Sequence, residues 1–463
     1  MENLLIEEII QFTSGKIIHQ GNENLVISNI STDSRLIDKD DLFVPLIGSK
    51  FNGHDYINDV IYKDVNAIIV DKHHWETIKD RIKINKNLWI IAVNDTLKAY
   101  QNIAKCYLKK LNIIKIAITG SNGKTTTKEI LKSILSAQFS VIANEGNLNN
   151  QIGVPKTVFN ISSNHEIAII EMGSGKKGDI SNLAAIVEPN IGIITSVGLA
   201  HIEFLGDIRG VAEEKKGLFC TFNGNSLAIL NEDDGFFSFL KENINSNVLS
   251  FSLNKNPQFH VIENLGLEGF YLKFNNDKCH FKLGGEHNLV NLSFAILVAK
   301  HLKMPDDIIA KAIENIYPFK MRTEKTNGKY VLIKDCYNAN PDSMKAGLNY
   351  FSSLSTHGKK ISVLGDMLEL GSESENIHEY IGKYVSTLNI DYLITMGHLG
   401  KKIAEGAKHN GFLEQRIFSF CDHKLLLKQL INILETNDIV YFKASRGVEL
   451  EKIALEIENL SKV

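Results

Sequence analysis

Residues 113–135 read IIKIAITGSNGKTTTKEILKSIL, which is an apolar β-branched run, a turn with two glycines and a helical pattern in direct succession. In the last part, Ile130, Leu131, Ile134 and Leu135 fall on one helical face. A strand followed by a glycine turn and a helix directs backbone N–H groups and a helix N-terminus towards one point, where phosphate can bind. The segment therefore predicts a nucleotide-binding unit in the middle of the chain.

The turn itself, TGSNGKTT at residues 119–126, has the side chains that a triphosphate requires. Lys124 would neutralise the β and γ phosphates, and the Thr125 hydroxyl would reach Mg²⁺. The full pattern G-x-x-x-x-G-K-[ST] needs glycine where Ile118 stands, so this loop is a shortened variant. The alternative is an ordinary turn with a solvated lysine, but the strand, the helix and the hydroxyls favour nucleotide binding. The residues expected to contact ATP here are Gly120, Ser121, Asn122, Gly123, Lys124, Thr125 and Thr126.

The length and the pattern changes predict an α/β protein with three domains. A chain of 463 residues is long enough for about three domains of typical size. We place them at residues 1–93, 94–318 and 319–463. The first is predicted as a small N-terminal α/β domain, the second as a P-loop ATPase-like domain with a mostly parallel sheet, and the third as a Rossmann-like doubly wound domain.

These assignments depend on short apolar runs with intervening helical patterns. The strands predicted for the first domain are 41–46, 67–70 and 88–93. In the second domain, the predicted elements are a helix at 94–108, strands at 113–119, 166–172, 190–197 and 226–230, antiparallel runs within 259–283, and a helix at 289–302. In the third domain, the predicted strands are 330–336, 360–365, 392–396 and 439–444.

Composition excludes several classes of protein. The net charge of −3, from 51 basic and 54 acidic residues, and the 44% hydrophobic content are typical of a folded globular chain. Nucleic-acid binders that neutralise phosphates usually have a basic excess, which is absent here. Five scattered cysteines indicate neither a disulfide framework nor a zinc knuckle. No signal peptide or bilayer-length apolar run is visible, so we expect a cytoplasmic protein that is not embedded in a membrane and acts as a monomer on small molecules.

Two further residues are candidates for metal binding. Glu171 ends the apolar strand EIAIIE, and His201 follows the next strand, so both are expected at the sheet edge where Thr125 lies. Taken singly, each has an ordinary alternative, a rim carboxylate for Glu171 and a structural histidine for His201. Together with Thr125 they form a set of oxygen and imidazole ligands that suits Mg²⁺.

The loop NEGNLNNQIGVP, residues 144–155, concentrates asparagines and glycines between these motifs. Burying so many amides requires hydrogen-bond partners, which a substrate or a phosphate would supply. The alternative is an exposed asparagine and glycine turn. The candidates for substrate contact in this loop are Asn147, Asn149 and Asn150.

The motifs in this order resemble those of the Mur ligase superfamily, over nearly the whole chain. TGSNGKTTTKE is similar to the family's ATP loop, and GNLNNQIGVP, EMG and NIGIITSVGLAHIEFLG resemble its central-domain motifs. GGEHNLVNLSFA resembles the segment on the adenine side, which implies nucleotide contacts for His287, Asn288 and Asn291. PFKMRTE, DCYNANPDSM, GDMLELG and FKASRG resemble its C-terminal motifs. The residues to which the resemblance gives ligand contacts there are Arg322 and Asp335 for the nucleotide, and Asn338, Asn340, Ser343, Lys443 and Arg446 for substrate.

The resemblance also implies a lysine carbamylated on its amine, which would bind Mg²⁺ as an anion. In AEEKKGLFC, the spacing from Leu218 and Phe219 favours Lys215 over Lys216 for this role. STDSR, with Ser34 and Arg35, and DLFVPLIGSKFNGHDY resemble the uridine-nucleotide-binding part. Asn52 stands where an aspartate is common in the family.

Within the superfamily, YNANP and GDMLELG point to the branch that adds a dipeptide. The resemblance implies a ligase that uses ATP and Mg²⁺ to join D-alanyl-D-alanine to UDP-N-acetylmuramoyl-tripeptide, giving the UDP-MurNAc-pentapeptide precursor of peptidoglycan. It gives catalytic roles to Lys124, Glu171, His201 and Lys215. A folylpolyglutamate synthase is the first alternative, but that relative lacks the domain with STDSR. A mechanical P-loop ATPase would have the complete glycine loop, and a non-catalytic binding protein would be expected to have lost Lys124, Glu171 or Lys215.

Overall fold

A computed structural model of the chain describes residues 1–461. Three large sheets, of five, six and six strands, succeed one another along the sequence, and helices pack against them. The predicted α/β class and the three-part architecture are confirmed. No helix in residues 1–461 has the length and the apolar character needed to cross a bilayer.

The first unit is a five-stranded sheet with strand order β2-β7-β6-β5-β4, parallel except where β2 pairs with β7. The strands Ala67–Asp71 and Trp89–Val93 are buried along their whole length, as expected for the centre of a parallel sheet. Its elements are β1 Leu4–Leu5, α1 Ile6–Thr13, β2 Lys16–His19, β3 Val26–Ile27, β4 Asn29–Ser31, β5 Asp41–Phe43, α2 Ile57–Tyr62, β6 Ala67–Asp71, α3 Lys72–Ile78 and β7 Trp89–Val93.

The second unit is an all-parallel sheet with strand order β13-β12-β11-β8-β10-β9, next to a three-stranded antiparallel sheet. Its elements are α4 Thr96–Lys110, β8 Ile114–Thr119, α5 Lys124–Leu135, β9 Val141–Ala143, α6 Gly153–Val158, β10 Ile167–Glu171, α7 Asp179–Val187, β11 Ile191–Ile194, α8 Ile202–Leu205, α9 Ile208–Lys216, β12 Leu227–Asn231, α10 Phe237–Lys241, β13 Asn247–Phe251, β14 His260–Asn264, β15 Phe270–Phe274, β16 Asp277–Phe281, α11 Glu286–His301 and α12 Asp306–Glu314.

The third unit has strand order β17-β18-β22-β19-β20-β21, in which only the β17–β18 pair is antiparallel. Apolar residues fill both faces of this sheet, which is the doubly wound arrangement expected from the sequence. Its elements are β17 Glu324–Thr326, β18 Val331–Lys334, α13 Pro341–Ser353, β19 Lys360–Gly365, α14 Ser374–Val385, β20 Tyr392–Met396, α15 Gly400–His409, β21 Ile417–Phe420, α16 His423–Ile433, β22 Ile439–Lys443 and α17 Leu450–Ser461.

Several strands were not predicted, and β9, β13 and β21 lie at sheet edges. An edge strand is buried on fewer sides, so its residues need not form a continuous apolar run. β13 shows this, because its residues alternate between exposed and partly buried positions until Phe251. The buried central strands, in contrast, are found within a few residues of their predicted bounds.

Candidate active site

A cavity of about 710 Å³ lies at the carboxyl ends of the central strands, between the second and third units. Ligands of open parallel sheets bind at this edge because the loops that follow the strands converge there. Among the predicted site residues, those that line this central cavity are Ser121, Asn122, Gly123, Lys124, Thr125, Thr126, Asn147, Asn149, Asn150, Glu171, His201, His287, Asn288, Asn291, Arg322, Asp335, Asn338, Asn340, Ser343, Lys443 and Arg446.

The glycine turn between β8 and α5 has the backbone form predicted for phosphate binding. Gly120 has φ +145°, and a side chain there would come within 2.1 Å of the Thr195 hydroxyl oxygen, so only glycine fits. Gly123, at φ +80°, begins α5 without a side-chain cap. The first backbone N–H groups of a helix are free to bind an anion when no side chain caps them. The turn is therefore a shortened but complete phosphate cradle.

Lys124 lies at the start of α5 and faces this cradle. Its ammonium donates hydrogen bonds to the carbonyl oxygens of Gly120 at 2.6 Å and of Ser121 at 3.4 Å. Burial lowers its pKa from the ordinary value, and the nearby Glu171 carboxylate partly offsets this effect. A lysine held beside free backbone N–H groups is suited to neutralise a phosphate.

Glu171 and Thr125 meet at the base of the central cavity, as the strand positions predicted. The Thr125 hydroxyl donates to Glu171 Oε2 at 2.8 Å, and the Asn149 amide donates to Glu171 Oε1 at 2.9 Å. The carboxylate is only 2% exposed. Both of its oxygens are thus held in fixed positions inside the cavity wall.

Lys128, one helical turn after Lys124, was not predicted as a site residue. Its side chain is fully buried, and its ammonium donates to the Asn144 carbonyl oxygen at 2.6 Å and lies 3.0 Å from Glu129 Oε1 and 3.9 Å from Glu171 Oε2. Asn144 in turn accepts from the Glu171 N–H and donates to the Glu171 carbonyl. Lys128 therefore supplies positive charge behind Glu171. The helical spacing from Lys124 was the only signal in the sequence.

Lys215 and Lys216, the two candidates for carbamylation, lie in different environments. Lys215 is 1% exposed, and its ammonium donates to the Ser174 hydroxyl at 2.6 Å, just behind the cavity wall. Burial first, and then the charge of Lys124, lower the pKa of Lys215 to about 7. Lys216 points away, and its ammonium binds the Phe239 carbonyl oxygen at 2.7 Å and lies over the Phe239 ring.

His201 lines the central cavity, but its nearest partner comes from the third unit. Its Nδ1 lies 2.5 Å from the Glu369 carboxylate, which is not aligned for a hydrogen bond with the ring nitrogen. Both residues have positive φ, 57° for His201 and 65° for Glu369, which is uncommon for side chains of this size. The structure thus brings His201 to the predicted sheet edge and pairs it with a residue that no motif assigned to it.

The residues at this edge fit a magnesium ion through their oxygens. The Thr125 hydroxyl and the Glu171 carboxylate lie 2.8 Å apart and face the phosphate cradle, and Mg²⁺ prefers such oxygen ligands. Residues 1–461 contain no cluster of three histidine, cysteine or acidic side chains that would hold a metal. An ion here would therefore be held by the Thr125 hydroxyl and the Glu171 carboxylate, together with phosphate oxygens.

The helix α11 closes the cavity on the side assigned to the nucleotide. Asn291 accepts a hydrogen bond from the Thr127 hydroxyl at 3.1 Å and donates to Asn288, and Asn288 donates to the Gly284 carbonyl. Burial lowers the pKa of His287, so the neutral ring is favoured. The side-chain amides of Asn288 and Asn291 therefore bind other protein groups and hold the start of α5, and they also line the cavity.

On the opposite wall, the strand ends of the third unit contribute a charged group. Lys443 Nζ lies 2.6 Å from Asp335 Oδ2, and the Tyr441 hydroxyl donates to the same oxygen at 2.9 Å. Asp335 follows β18 and Lys443 ends β22, and these strands are neighbours. Sequence resemblance assigned Asp335 and Lys443 to different ligands, whereas the structure joins them as one ion pair.

Direct hydrogen bonds hold the third unit against the phosphate loop. Arg322 donates to the Thr125 hydroxyl at 2.9 Å, and the Asn340 amide donates to Asn122 Oδ1 at 2.8 Å. The Leu199 N–H donates to Asp342 at 2.9 Å. The second and third units are thus closed on each other around the cavity.

Some predicted contact residues have tasks inside the protein. Asn150 accepts from the N–H groups of Ile152 and Gly153, and Asn340 and Ser343 cap the start of α13 reciprocally. Part of the polar groups of the 144–155 loop are thus engaged within the protein, since the Asn144 and Asn149 amides donate to the Leu148 carbonyl and to Glu171, and Asn150 accepts through Oδ1. Contact of Asn147, Asn149 and Asn150 with substrate stays a prediction.

Besides Lys215, three predicted residues are not at the surface of the central cavity. Gly120 is part of the phosphate loop but packs against Thr195 and contributes through its backbone conformation. Ser34 and Arg35 lie in the first unit after β4, and the Lys63 ammonium binds both of their carbonyl oxygens. Arg35 pairs with Asp33 at 2.7 Å. The two residues predicted to contact the uridine nucleotide are therefore in the first unit and not among the residues that line the central cavity.

Comparison with known families gives three matches in the order of the three units. The Mur ligase family catalytic domain matches residues 26–107, the Mur ligase middle domain matches 118–299, and the Mur ligase glutamate ligase domain matches 321–446. Together they cover most of the chain.

Individual relatives match the chain over almost its full length. The UDP-N-acetylmuramoyl-tripeptide–D-alanyl-D-alanine ligase of Bacillus subtilis is 34% identical over 460 residues, covering 98% of each chain. A crystal structure of MurF from Acinetobacter baumannii has a TM-score of 0.88 at 27% identity and covers 98% of this chain and 99% of that one. MurF ligase from Thermotoga maritima in complex with ADP has a TM-score of 0.79 at 25% identity, with coverage of 93% and 97%.

Proposed function

Because the chain belongs to the Mur ligase family, we propose that it is the ligase that joins D-alanyl-D-alanine to UDP-N-acetylmuramoyl-tripeptide, driven by ATP. The observation that carries this proposal is the central cavity, in which the phosphate loop, the Glu171–Thr125 oxygen pair and the cations of the third unit face one another. Full-length similarity to ligases of this name supports the choice of substrates.

The reaction needs an activated carboxylate, because a free carboxylate is a poor acyl donor. The terminal carboxylate of the tripeptide attacks the γ-phosphorus of ATP, which gives an acyl phosphate and ADP. The amine of the dipeptide then adds to the acyl carbon, and phosphate leaves as the amide forms and a proton is released. No protein nucleophile takes part, so the enzyme acts by position and electrostatics.

The residues of the cavity have corresponding tasks in this proposal. The backbone N–H groups of residues 123–126 hold the phosphates, and Lys124 exchanges its bonds to Gly120 and Ser121 for phosphate oxygens. Thr125, Glu171, His201 and a carbamylated Lys215 would hold Mg²⁺, which offsets the charge of the phosphates. His287, Asn288 and Asn291 border the nucleotide, while Asp335 and Lys443 form the facing wall.

Carbamylation of Lys215 fits its surroundings. A neutral amine reacts with CO₂ to give a carbamate and a proton, and a pKa of about 7 leaves much of Lys215 neutral near neutral pH. The same burial would destabilise an unmodified ammonium. Lys216 is only partly buried, and its ammonium is engaged by the Phe239 carbonyl oxygen and ring instead of lying behind the cavity wall.

The remaining expectations follow from the substrates. Small soluble substrates and ATP favour action in the cytoplasm, and the five cysteines are unpaired. The protein is proposed to act as a monomer. Ser34 and Arg35 are proposed to contact the uridine nucleotide in the first unit.

The proposal is tested by measuring phosphate release with ATP, Mg²⁺ and nucleotide tripeptide, with and without D-alanyl-D-alanine. We expect stoichiometric phosphate and pentapeptide only when all components are present. Sustained phosphate release without the dipeptide would favour a mechanical ATPase instead. Turnover with a folate and glutamate in place of these substrates would favour a folylpolyglutamate synthase.

A further inference from the structure

Tyr337 lies on the third-unit wall of the central cavity, between two arginines, and no motif assigned it a role. The Arg322 guanidinium carbon lies 4.3 Å from the centroid of the Tyr337 ring, and that of Arg446 lies 5.2 Å from it. Both distances are within the range in which a guanidinium is attracted to the face of an aromatic ring. The ring therefore holds two cations that would otherwise repel each other.

The three side chains come from three separate segments of the third unit. Arg322 precedes β17, Tyr337 follows β18, and Arg446 follows β22. Arg322 is fixed at its other end, because it donates to the Thr125 hydroxyl at 2.9 Å. The row Thr125–Arg322–Tyr337–Arg446 thus connects the phosphate loop to the far side of the cavity.

The positive groups of this wall differ in how they are engaged. Lys443 is buried in its ion pair with Asp335, and Arg322 is bound to Thr125. Arg446 is exposed and lines the cavity. An exposed guanidinium presents a planar pair of donors that matches a carboxylate, and a stacked arginine cannot be replaced by lysine without loss of this geometry.

We propose that Tyr337 is a positioning residue that orients Arg446 to bind the carboxylate of the incoming dipeptide, with Arg322 bracing the ring from the phosphate side. The inference rests on the proposed function, because it assumes that the amine substrate carries a carboxylate. The row also links the phosphate loop to the position proposed for the dipeptide. When the third unit closes on Thr125, Arg322 is held in place. Arg322 then holds the Tyr337 ring, and the ring orients Arg446, which binds the dipeptide.

The test compares Tyr337→Leu with Tyr337→Phe, using D-alanyl-D-alanine and its uncharged C-terminal amide. Both contacts are to the ring rather than to the hydroxyl, so Tyr337→Phe should keep the KM for the dipeptide within about 2-fold, whereas Tyr337→Leu should raise it about 10-fold. With the amide, the two variants should have the same KM, because Arg446 has no carboxylate to bind. A structural defect would affect both ligands alike.

Arg446→Met provides a second variant if the leucine variant does not fold. It should lose about 30-fold in affinity for the dipeptide and little for the amide. Equal losses for dipeptide and amide, an unchanged KM in Tyr337→Leu, or failure of phenylalanine to restore function would each overturn the proposal.

Calorimetric binding of the dipeptide and the amide to the protein with ADP, Mg²⁺ and nucleotide tripeptide separates this inference from the proposed function. If the wild type has no ligase activity but binds the dipeptide more tightly than the amide, and Arg446→Met loses this preference, the ligase assignment is refuted and the role of Arg446 is not. A wild-type ligase that turns over the dipeptide and binds both ligands equally would refute the role of Arg446 alone.

Discussion

Arg322 and Thr125 lie 197 residues apart in the sequence, yet the Arg322 guanidinium donates a hydrogen bond to the Thr125 hydroxyl. The same hydroxyl donates to Glu171. A residue of the third unit thus contacts the hydroxyl that joins the phosphate loop to the Glu171 carboxylate, the proposed metal ligand. Closure of the third unit and assembly of the phosphate site are therefore parts of one event, as expected for an enzyme that excludes water from an activated intermediate.

Lys124→Ala removes the cation at the phosphate cradle. We expect ADP formation to fall by at least about 100-fold, because transition-state charge loses a fixed partner in a site with little water. The fold should remain, since the lysine's bonds in the structure are to its own loop. A coupled ADP assay and a thermal melt measure the two effects, with Lys132→Ala on the same helix as the control. Near-normal turnover in Lys124→Ala would refute the role of the loop.

Lys215→Ala and Lys216→Ala distinguish the two candidates for carbamylation. The first should abolish ligase activity because the buried amine beside Ser174 is lost. The second should keep it within a few-fold, since the Lys216 ammonium binds the Phe239 carbonyl oxygen and lies over the Phe239 ring, away from the cavity. Incubation with ¹³C-labelled bicarbonate and carbon NMR would show a carbamate signal in wild type and Lys216→Ala. A signal that persists in Lys215→Ala would contradict the assignment.

The buried strands and the phosphate loop could be predicted because both leave local traces in the sequence. β8 is a continuous β-branched run, and the turn after it needs glycine at φ values that other residues avoid. The pairing of His201 with Glu369, and of Asp335 with Lys443, leaves no such trace. Each depends on how loops from distant segments meet, and that is decided by the packing of the sheets.

Lys128 shows the same limit within a single helix. Its spacing from Lys124 places both side chains on one face, but only the packed structure shows that this face is covered by Asn144 and Glu171. A lysine in the sequence is normally expected in solvent. Its complete burial depends on Asn144, which follows β9, and on Glu171, which ends β10, and neither contact can be read from the helix alone.

Lys128→Met should lower the free energy of unfolding by about 3 kcal/mol, because the buried Glu171 loses a compensating charge and the Asn144 carbonyl loses its donor. Urea unfolding at pH 7.5 measures the loss. Lys132→Met, one turn further along α5, should change the stability by less than about 0.5 kcal/mol. If the two methionine variants are equally stable, the charge behind Glu171 has no structural importance.

His54 gives the first unit a dependence on pH. The ring is buried, its Nδ1 binds Asn52 Oδ1 at 2.8 Å, and its Nε2 accepts from the Asp71 N–H at 2.9 Å, so this geometry requires the neutral form. Burial, and then the neighbouring His74, lower the pKa of His54 from 6.5 to about 4. The unfolded chain therefore takes up the proton first as the pH falls. Stability should be complete above pH 6.5 and decrease by up to about 3 kcal/mol towards pH 4.

Asn52→Asp tests this prediction by placing a carboxylate beside Nδ1. The negative charge should raise the pKa of His54, so the variant should lose less stability than the wild type between pH 7 and pH 5. The two tryptophans, Trp75 and Trp89, both lie in the first unit, so their fluorescence during urea unfolding reports on it directly. NMR titration of the His54 ring gives the pKa of the folded state in each protein. If the stability of wild type and Asn52→Asp falls in parallel as the pH is lowered, a group other than His54 controls the acid sensitivity. The reason is that the substitution acts on the side chain that the His54 ring contacts.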